Sequence, residues 1–202
     1  MDGSDVLAAA ATCDRLFGPL ADRDWSVPVP GLEFTVASAL AHATAGVLWY
    51  SVDIWAPVDD AAFEIGSRGD APPAVILTSL RGAARTCAAA IDAAPPGTRG
   101  YHPAGSPDPS GFAAMACDEL LVHGDDAARG LGTRLDLDAA LAGRVLARLF
   151  PWHPAGTDPW QTLLWANGRL DLPGAVSQRG RWRWHCAPLD EWDGRPPPAP
   201  SG

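Results

Sequence analysis

The chain contains no lysine, and all 15 of its basic residues are arginine. This absence excludes a lysine Schiff base and the lysine of a phosphate-binding P-loop from its chemistry. Acidic residues outnumber basic ones, 24 to 15, which leaves a net charge of −9. Because an acidic chain repels a phosphate backbone, we expect no nucleic acid among its partners.

Long apolar runs and paired cysteines are also missing. No apolar stretch reaches the roughly 18 residues that a membrane span needs, and the acidic start at 1–5 lacks the basic segment of a signal peptide. The 4 cysteines form no C-x-x-C pair, which is typical of buried free thiols in a reducing compartment. We therefore predict a cytoplasmic protein with no membrane partner.

Helical periodicity dominates what is present. Hydrophobic residues make up 47% of the chain, which is a globular composition, and the length of 202 residues fits one domain, or one domain with a modest extension. Apolar residues recur at helical spacing between segments rich in proline and glycine. The predicted helices are 4–21, 35–55, one between 72 and 95, one from 109 or 110 to 130 or 132, one from 136 or 138 to 151, and a short one at 158–166.

The pattern predicts an all-α fold: a helical bundle over residues 1–150 followed by an extension over 151–202. The extension holds six of the 9 tryptophans, and this much aromatic surface is expected to pack on the bundle. The proline-rich end, 196–200, predicts disorder of the last residues. Length and charge fit either a monomer or a homodimer.

The fourth predicted helix carries a carboxylate and an imidazole four residues apart, Glu119 and His123, with Asp126 three residues further on. This spacing places all three on one helix face. Carboxylate oxygen and imidazole nitrogen are ordinary zinc ligands, and a metal would offset the cost of burying them. The same spacing also occurs in simple surface pairs, so the spacing leaves both interpretations open.

A metal site would need a third ligand from another helix. His42 lies in the middle of the second predicted helix, in the apolar stretch 39–47, where small residues leave room around its ring. Facing helices of a bundle commonly bring such histidines and carboxylates together. The alternative is a histidine that is hydrogen-bonded in the core.

Two motifs resemble the mycothiol-dependent maleylpyruvate isomerase family of the DinB-like superfamily. The first, 24–42, runs from Asp-Trp through a Pro-rich loop to a helix with Leu-x-x-His; the second is Glu-x-x-x-His-x-x-Asp within 118–132. The resemblance covers roughly residues 5–150 and implies a DinB-like four-helix bundle. It also implies a divalent metal, zinc or a similar ion, bound by His42, Glu119 and His123, with mycothiol as a thiol cofactor.

The resemblance implies an enzyme that uses a metal-activated thiol to isomerise or conjugate a small electrophilic substrate. Three protein ligands leave an open position, and coordination to zinc deprotonates a thiol. Family isomerases carry a separate C-terminal domain, whereas about fifty residues follow the bundle here. Two alternatives are a metalloenzyme that uses a metal-bound water and no thiol, and a non-catalytic binding protein on the same bundle.

Other residues near the motifs have two interpretations each. Asp126 matches the family aspartate and either orients a metal ligand or is a surface acid. Trp49 either lines a cofactor pocket or packs in the core. Arg129 either binds a carboxylate of the substrate or cofactor, or is a cation placed at a helix C-terminus. We expect Asp118 and Asp125 to be solvated.

Overall fold

The computed structural model describes residues 1–56 and 64–198, and within these ranges it contains helices and no strand. This confirms the all-α prediction. The α-helices are α1 (Gly3–Phe17), α2 (Val36–Asp53), α3 (Pro73–Ala93), α4 (Pro109–Gly130), α5 (Ala139–Leu149) and α6 (Pro159–Ala166). Single 3₁₀ turns follow at Gly18–Leu20 and Leu189–Glu191.

Short polar side chains set most helix starts. A capping side chain accepts a backbone hydrogen bond from the first turn of every α-helix except α3, which begins at prolines instead. These capping residues are Asp2, Thr35, Asp108, Asp138 and Asp158. Helix α1 ends at Phe17 and not at residue 21, because Pro19 has no N–H to continue the helix and a 3₁₀ turn follows.

Helices α1 to α4 form a four-helix bundle. Both α1 and α2 pack against α3 and α4, which places α1 and α2 at opposite corners. Side chains such as Phe17, Leu40, Leu80 and Leu121 are almost fully buried between them. The contact between α2 and α4 joins the two helices that carry the predicted ligands.

Helix α3 is a core helix of this bundle. Among the described residues it is the one helix long and apolar enough to cross a membrane by length and composition. A buried helix of a globular protein passes the same test, and α3 buries Ile76, Leu80, Cys87 and Ile91. All four cysteines of the chain are free and buried, as predicted.

The C-terminal extension contacts the bundle through buried side chains. Trp165 and Trp184 are only 4% and 5% exposed and belong to the same hydrophobic cluster as the bundle core. Residues 184–186 pass directly over the start of α4: a side chain at Gly111 would place its Cβ 2.3 Å from the carbonyl oxygen of Cys186. Glycine at this position therefore permits the close approach.

The division of the chain into two parts at residue 150 stays a prediction. The proline-rich end with predicted disorder, 196–200, is described as far as residue 198, and residues 199–202 lie outside the described residues. Within the extension, α6 packs against α5, and α5 packs against α4. The extension therefore reaches α4 both through α5 and directly.

Candidate metal centre

The bundle brings the three predicted ligands together. His42 lies on α2, and Glu119 and His123 lie one turn apart on α4; one potential ligand atom of each residue lies within 4.8 Å of the other two. Nε2 of His123 is 3.3 Å from Oε2 of Glu119. The rings of His42 and His123 have centroids 5.0 Å apart and stand nearly perpendicular.

The cluster is largely but not fully buried on α4, and it is open to solvent at α2. The side chains of Glu119 and His123 are 14% and 12% exposed, while His42 is exposed. Solvent and small molecules therefore reach the cluster from the side of His42.

Two atoms of the cluster have unsatisfied hydrogen-bonding capacity. Oε2 of Glu119 and Nδ1 of His123 are buried and form no hydrogen bond. Buried polar atoms are nearly always paired, so such exceptions mark sites with a further partner or function. A carboxylate and two imidazoles are a common zinc ligand set. The residues present thus fit a divalent cation, with Oε2 of Glu119 as one ligand atom.

Neighbouring charges control protonation in the cluster. Burial lowers the pKa of His123, but Asp126 and Glu119 on either side of its ring outweigh burial and raise the pKa to about 9. Burial raises the pKa of Glu119, yet His123 and His42 outweigh it and hold the pKa below its ordinary value. Burial, together with the charge of His123, lowers the pKa of His42. Without metal, His123 therefore holds a proton between two carboxylates at neutral pH.

Metal affinity is expected to rise with pH. A ligand imidazole must be neutral, so below about pH 9 each bound ion displaces one proton from His123. His42, with its lowered pKa, releases no further proton near neutral pH. The apparent affinity should rise about tenfold per pH unit between pH 7 and 8.5.

This pH dependence is measured by zinc competition against a chelator, corrected for the chelator's own protonation, together with proton release in weakly buffered solution. One proton released per zinc at pH 7.5 is expected. A flat affinity profile without proton release would contradict the prediction that His123 is protonated in the metal-free site.

Aromatic side chains surround the cluster. The hydroxyl of Tyr50 donates to Oε1 of Glu119 at 3.3 Å. The ring of Phe34 lies 5.5 Å from that of His42 and 5.8 Å from that of His123. Sequence reasoning missed both roles: Tyr50 belongs to the apolar stripe of α2, and nothing in the spacing of Phe34 points to the site.

Asp126 contacts His123 at Nδ1, the ring nitrogen that does not face Glu119. It is fully buried, so the interpretation as a surface acid is wrong. Its Oδ2 lies 3.4 Å from Nδ1 of His123, and its carboxylate accepts three hydrogen bonds from Arg169. Burial raises the pKa of Asp126, but His123 and Arg169 outweigh burial and lower it. No periodicity in the sequence connects Arg169 with α4.

Asp118 and Asp125 are buried, and the prediction that they are solvated is wrong. Asp118 accepts hydrogen bonds of 2.9 Å from Asn167 and Trp184. Burial raises the pKa of Asp118 to about 7 although these two donors act in the opposite direction. Asp125 is ion-paired with Arg134 at 2.9 Å. Helix α5 and the extension cover this face of α4, which the periodicity of one helix cannot show.

The two other predicted binding residues lie outside the cluster. The ring N–H of Trp49, which is half-buried, donates to the backbone oxygen of Ile65 at 3.1 Å. Arg129 donates to the backbone oxygen of Pro30 and lies 3.7 Å from Asp126. It borders an open cleft of about 850 Å³ that Trp182 of the extension also lines. Their binding to a cofactor stays a prediction.

A loop histidine lies behind Tyr50. The rings of His102 and Tyr50 have centroids 5.8 Å apart, and Trp184 lies 5.4 Å away on another side of His102. Burial lowers the pKa of His102 to about 4, and its Nδ1 accepts a hydrogen bond from the N–H of Ala104. His102 is therefore neutral with its proton on Nε2. Its position in a Pro- and Gly-rich loop carried no signal in the sequence.

The fold and this geometry define a helical-bundle protein with a candidate divalent-metal centre of two histidines and one carboxylate. The sequence model described as the mycothiol maleylpyruvate isomerase N-terminal domain matches residues 6–128, more than half of the chain. The chain belongs to this family, which confirms the resemblance of the two motifs. The match contains all three candidate ligands and ends before Arg129. No curated protein and no solved structure matches the chain.

Proposed function

We infer that this chain is a divalent-metal-dependent enzyme that uses the thiol of mycothiol to isomerise or conjugate a small electrophilic substrate. The observation that supports this most is the convergence of His42, Glu119 and His123, with ligand atoms within 4.8 Å, inside the segment that matches the family. Zinc is the ion proposed, because one carboxylate and two imidazoles suit it. A cytoplasmic location is proposed from the four free cysteines.

His42, Glu119 and His123 would hold a zinc ion with one position open, and the ion would lower the pKa of a thiol that binds there. The chain's own residues prepare this position. Tyr50 occupies Oε1 of Glu119 and leaves Oε2 free. Asp126 lies against Nδ1 of His123, so that Nε2 faces the cluster. Phe34 packs against both histidine rings and keeps water from that side.

The exposure of His42 suits access of a thiol and an electrophile from the same side. Addition of the thiolate to an activated double bond, rotation about the resulting single bond and elimination of the thiolate would isomerise the substrate. If the carbanion left by addition instead takes a proton from solvent, which replaces the proton lost from the thiol, the substrate would be conjugated. Both routes use the same residues of the site. Whether the product is an isomer or a conjugate therefore depends on the chemistry of the substrate.

The test combines metal content with thiol-dependent turnover. Protein purified without a histidine tag is analysed for metal, and then incubated with maleylpyruvate or monobromobimane, each with and without mycothiol, and the uncatalysed rate measured without protein is subtracted. We expect about one metal ion per chain and consumption of an electrophile that requires both metal and mycothiol. Equal turnover without thiol would overturn the thiol mechanism in favour of a metal-bound water. Metal binding without turnover of either compound would favour a binding protein.

A further inference from the structure

The C-terminal extension contacts the ligand-bearing helix α4 at a buried carboxylate. Asp126 has no exposed surface. Nε of Arg169 donates to both of its oxygens, at 3.1 and 3.0 Å, and Nη2 donates to Oδ2 at 2.9 Å. Arg169 lies outside residues 6–128, the segment that matches the family. The arginine that hydrogen-bonds this carboxylate is therefore a feature of this chain's own extension, while Arg129 of α4 lies further away, at 3.7 Å.

Asp126 in turn contacts a candidate metal ligand. Its Oδ2, the oxygen that receives two of the three hydrogen bonds, lies 3.4 Å from Nδ1 of His123. The opposite ring nitrogen of His123, Nε2, faces Glu119. A carboxylate against one ring nitrogen of a ligand histidine orients the ring and directs the other nitrogen to the metal. A shift of Asp126 would therefore remove the contact that lies against Nδ1 of His123.

The guanidinium of Arg169 is itself held in place. Its Nη1 donates to the backbone oxygen of Asn167 at 3.0 Å. The side chain of Asn167 donates to Asp118, which precedes Glu119 in the chain, and Trp184 donates to the other oxygen of Asp118. The extension thus bonds to α4 beside both of its ligand residues, and Arg169 has little freedom to move away from Asp126.

We propose that Arg169 is a positioning residue that acts through Asp126 to orient His123 and so sets the metal affinity of the site. The proposal rests on the metal centre proposed above. A purely structural ion pair would stabilise the docking of the extension without changing the geometry at the metal. The two roles are distinguished in folded variants of Arg169. Only the positioning role predicts a change in metal affinity and in the coordination spectrum.

The experiment compares Arg169→Met with Arg134→Met as a matched control. Arg134 also pairs with a buried aspartate of α4, the neighbouring Asp125, which does not contact the cluster. Zinc and cobalt(II) affinities are measured by chelator competition, and the cobalt(II) absorption spectrum reports the coordination geometry. We expect Arg169→Met to weaken both affinities about 10–100-fold and to alter the spectrum. Arg134→Met should stay within about threefold of the wild type and keep its spectrum.

Arg169→Lys keeps the charge but not the paired hydrogen bonds, and serves if Arg169→Met fails to fold. It should show a smaller loss of affinity in the same direction. The double variant Asp126→Asn/Arg169→Met tests whether Arg169 acts through Asp126. If it does, the metal affinity of the double variant should equal that of Asp126→Asn alone. Additive losses would overturn the proposed route.

The outcomes separate this proposal from the proposed function. If folded Arg169→Met or Arg169→Lys binds metal as tightly as the wild type, with an unchanged cobalt spectrum, the positioning role is overturned while the metal centre stands. If wild-type protein binds metal and the arginine variants behave as expected but no thiol-dependent turnover is found, only the proposed function fails. If wild-type protein binds neither zinc nor cobalt, both are overturned.

Discussion

His123→Ala is expected to abolish stoichiometric metal binding while the chain keeps its helical content. The substitution removes one of the three proposed ligands, and its effect on metal affinity should exceed the roughly 10–100-fold that loss of an outer partner causes. The ring of His123 also lies between Glu119 and Asp126 and contacts both carboxylates. Alanine has no ring nitrogen that could bind a metal there. Elemental analysis and chelator competition measure the loss, and far-ultraviolet circular dichroism measures the helical content.

His42→Ala and Glu119→Ala should have the same effect, because each removes a different ligand of the same cluster. His153→Ala is the matched control: His153 lies after α5, where its ring contacts the backbone oxygen of Phe150. It should retain about one ion per chain. Full metal occupancy in His123→Ala would show that the cluster is not the metal site.

Arg148→Met is expected to lower the free energy of unfolding by about 3 kcal/mol. Arg148 lies on α5 and is 6% exposed. It donates to Asp108, the N-cap of α4, at 2.5 Å and to the backbone oxygens of His185 and Cys186 at 3.2 and 2.9 Å. Methionine keeps the length of the stem but removes a donor from all three acceptors, of which Asp108 retains the N–H of Gly111. The loss would be measured by urea unfolding of the metal-free protein.

Arg144→Met is the control for this experiment, since Arg144 lies one turn earlier on the same helix. It pairs with Asp5 at 2.6 Å, but 48% of its side chain is exposed. Exposed ion pairs contribute about 1 kcal/mol or less. Equal losses in the two variants would contradict the view that Arg148 joins the extension to the bundle.

The extension forms hydrogen bonds to α4 next to the candidate metal ligands. Through Arg169, Asn167 and Trp184 it bonds to both carboxylates that flank the ligands of α4. Arg148 joins the same extension to the first turn of α4. Undocking of the extension is therefore expected to change the metal centre as well as the stability of the fold.

The sequence by itself determined the helices and the candidate ligands. Helical periodicity and the capping residues are local properties, so they predicted five of the six helix starts to within about a residue. The four-residue spacing of Glu119 and His123 placed both on one face of α4, and the family motifs selected His42 from the second helix. Periodicity extends α1 to residue 21, but the helix ends at Phe17 because Pro19 has no N–H to continue it.

The tertiary structure alone decided the surroundings of the cluster. Asp118 and Asp126 are polar residues on a helix, and a single helix cannot show that α5 and the extension cover them. Arg169 reaches Asp126 across 43 positions of sequence, and Tyr50 reaches Glu119 across 69. Packing between elements distant in the chain determines such partners, because a buried polar group bonds to the donor that the fold places beside it. The spacing of residues within one helix therefore cannot predict these hydrogen-bond partners.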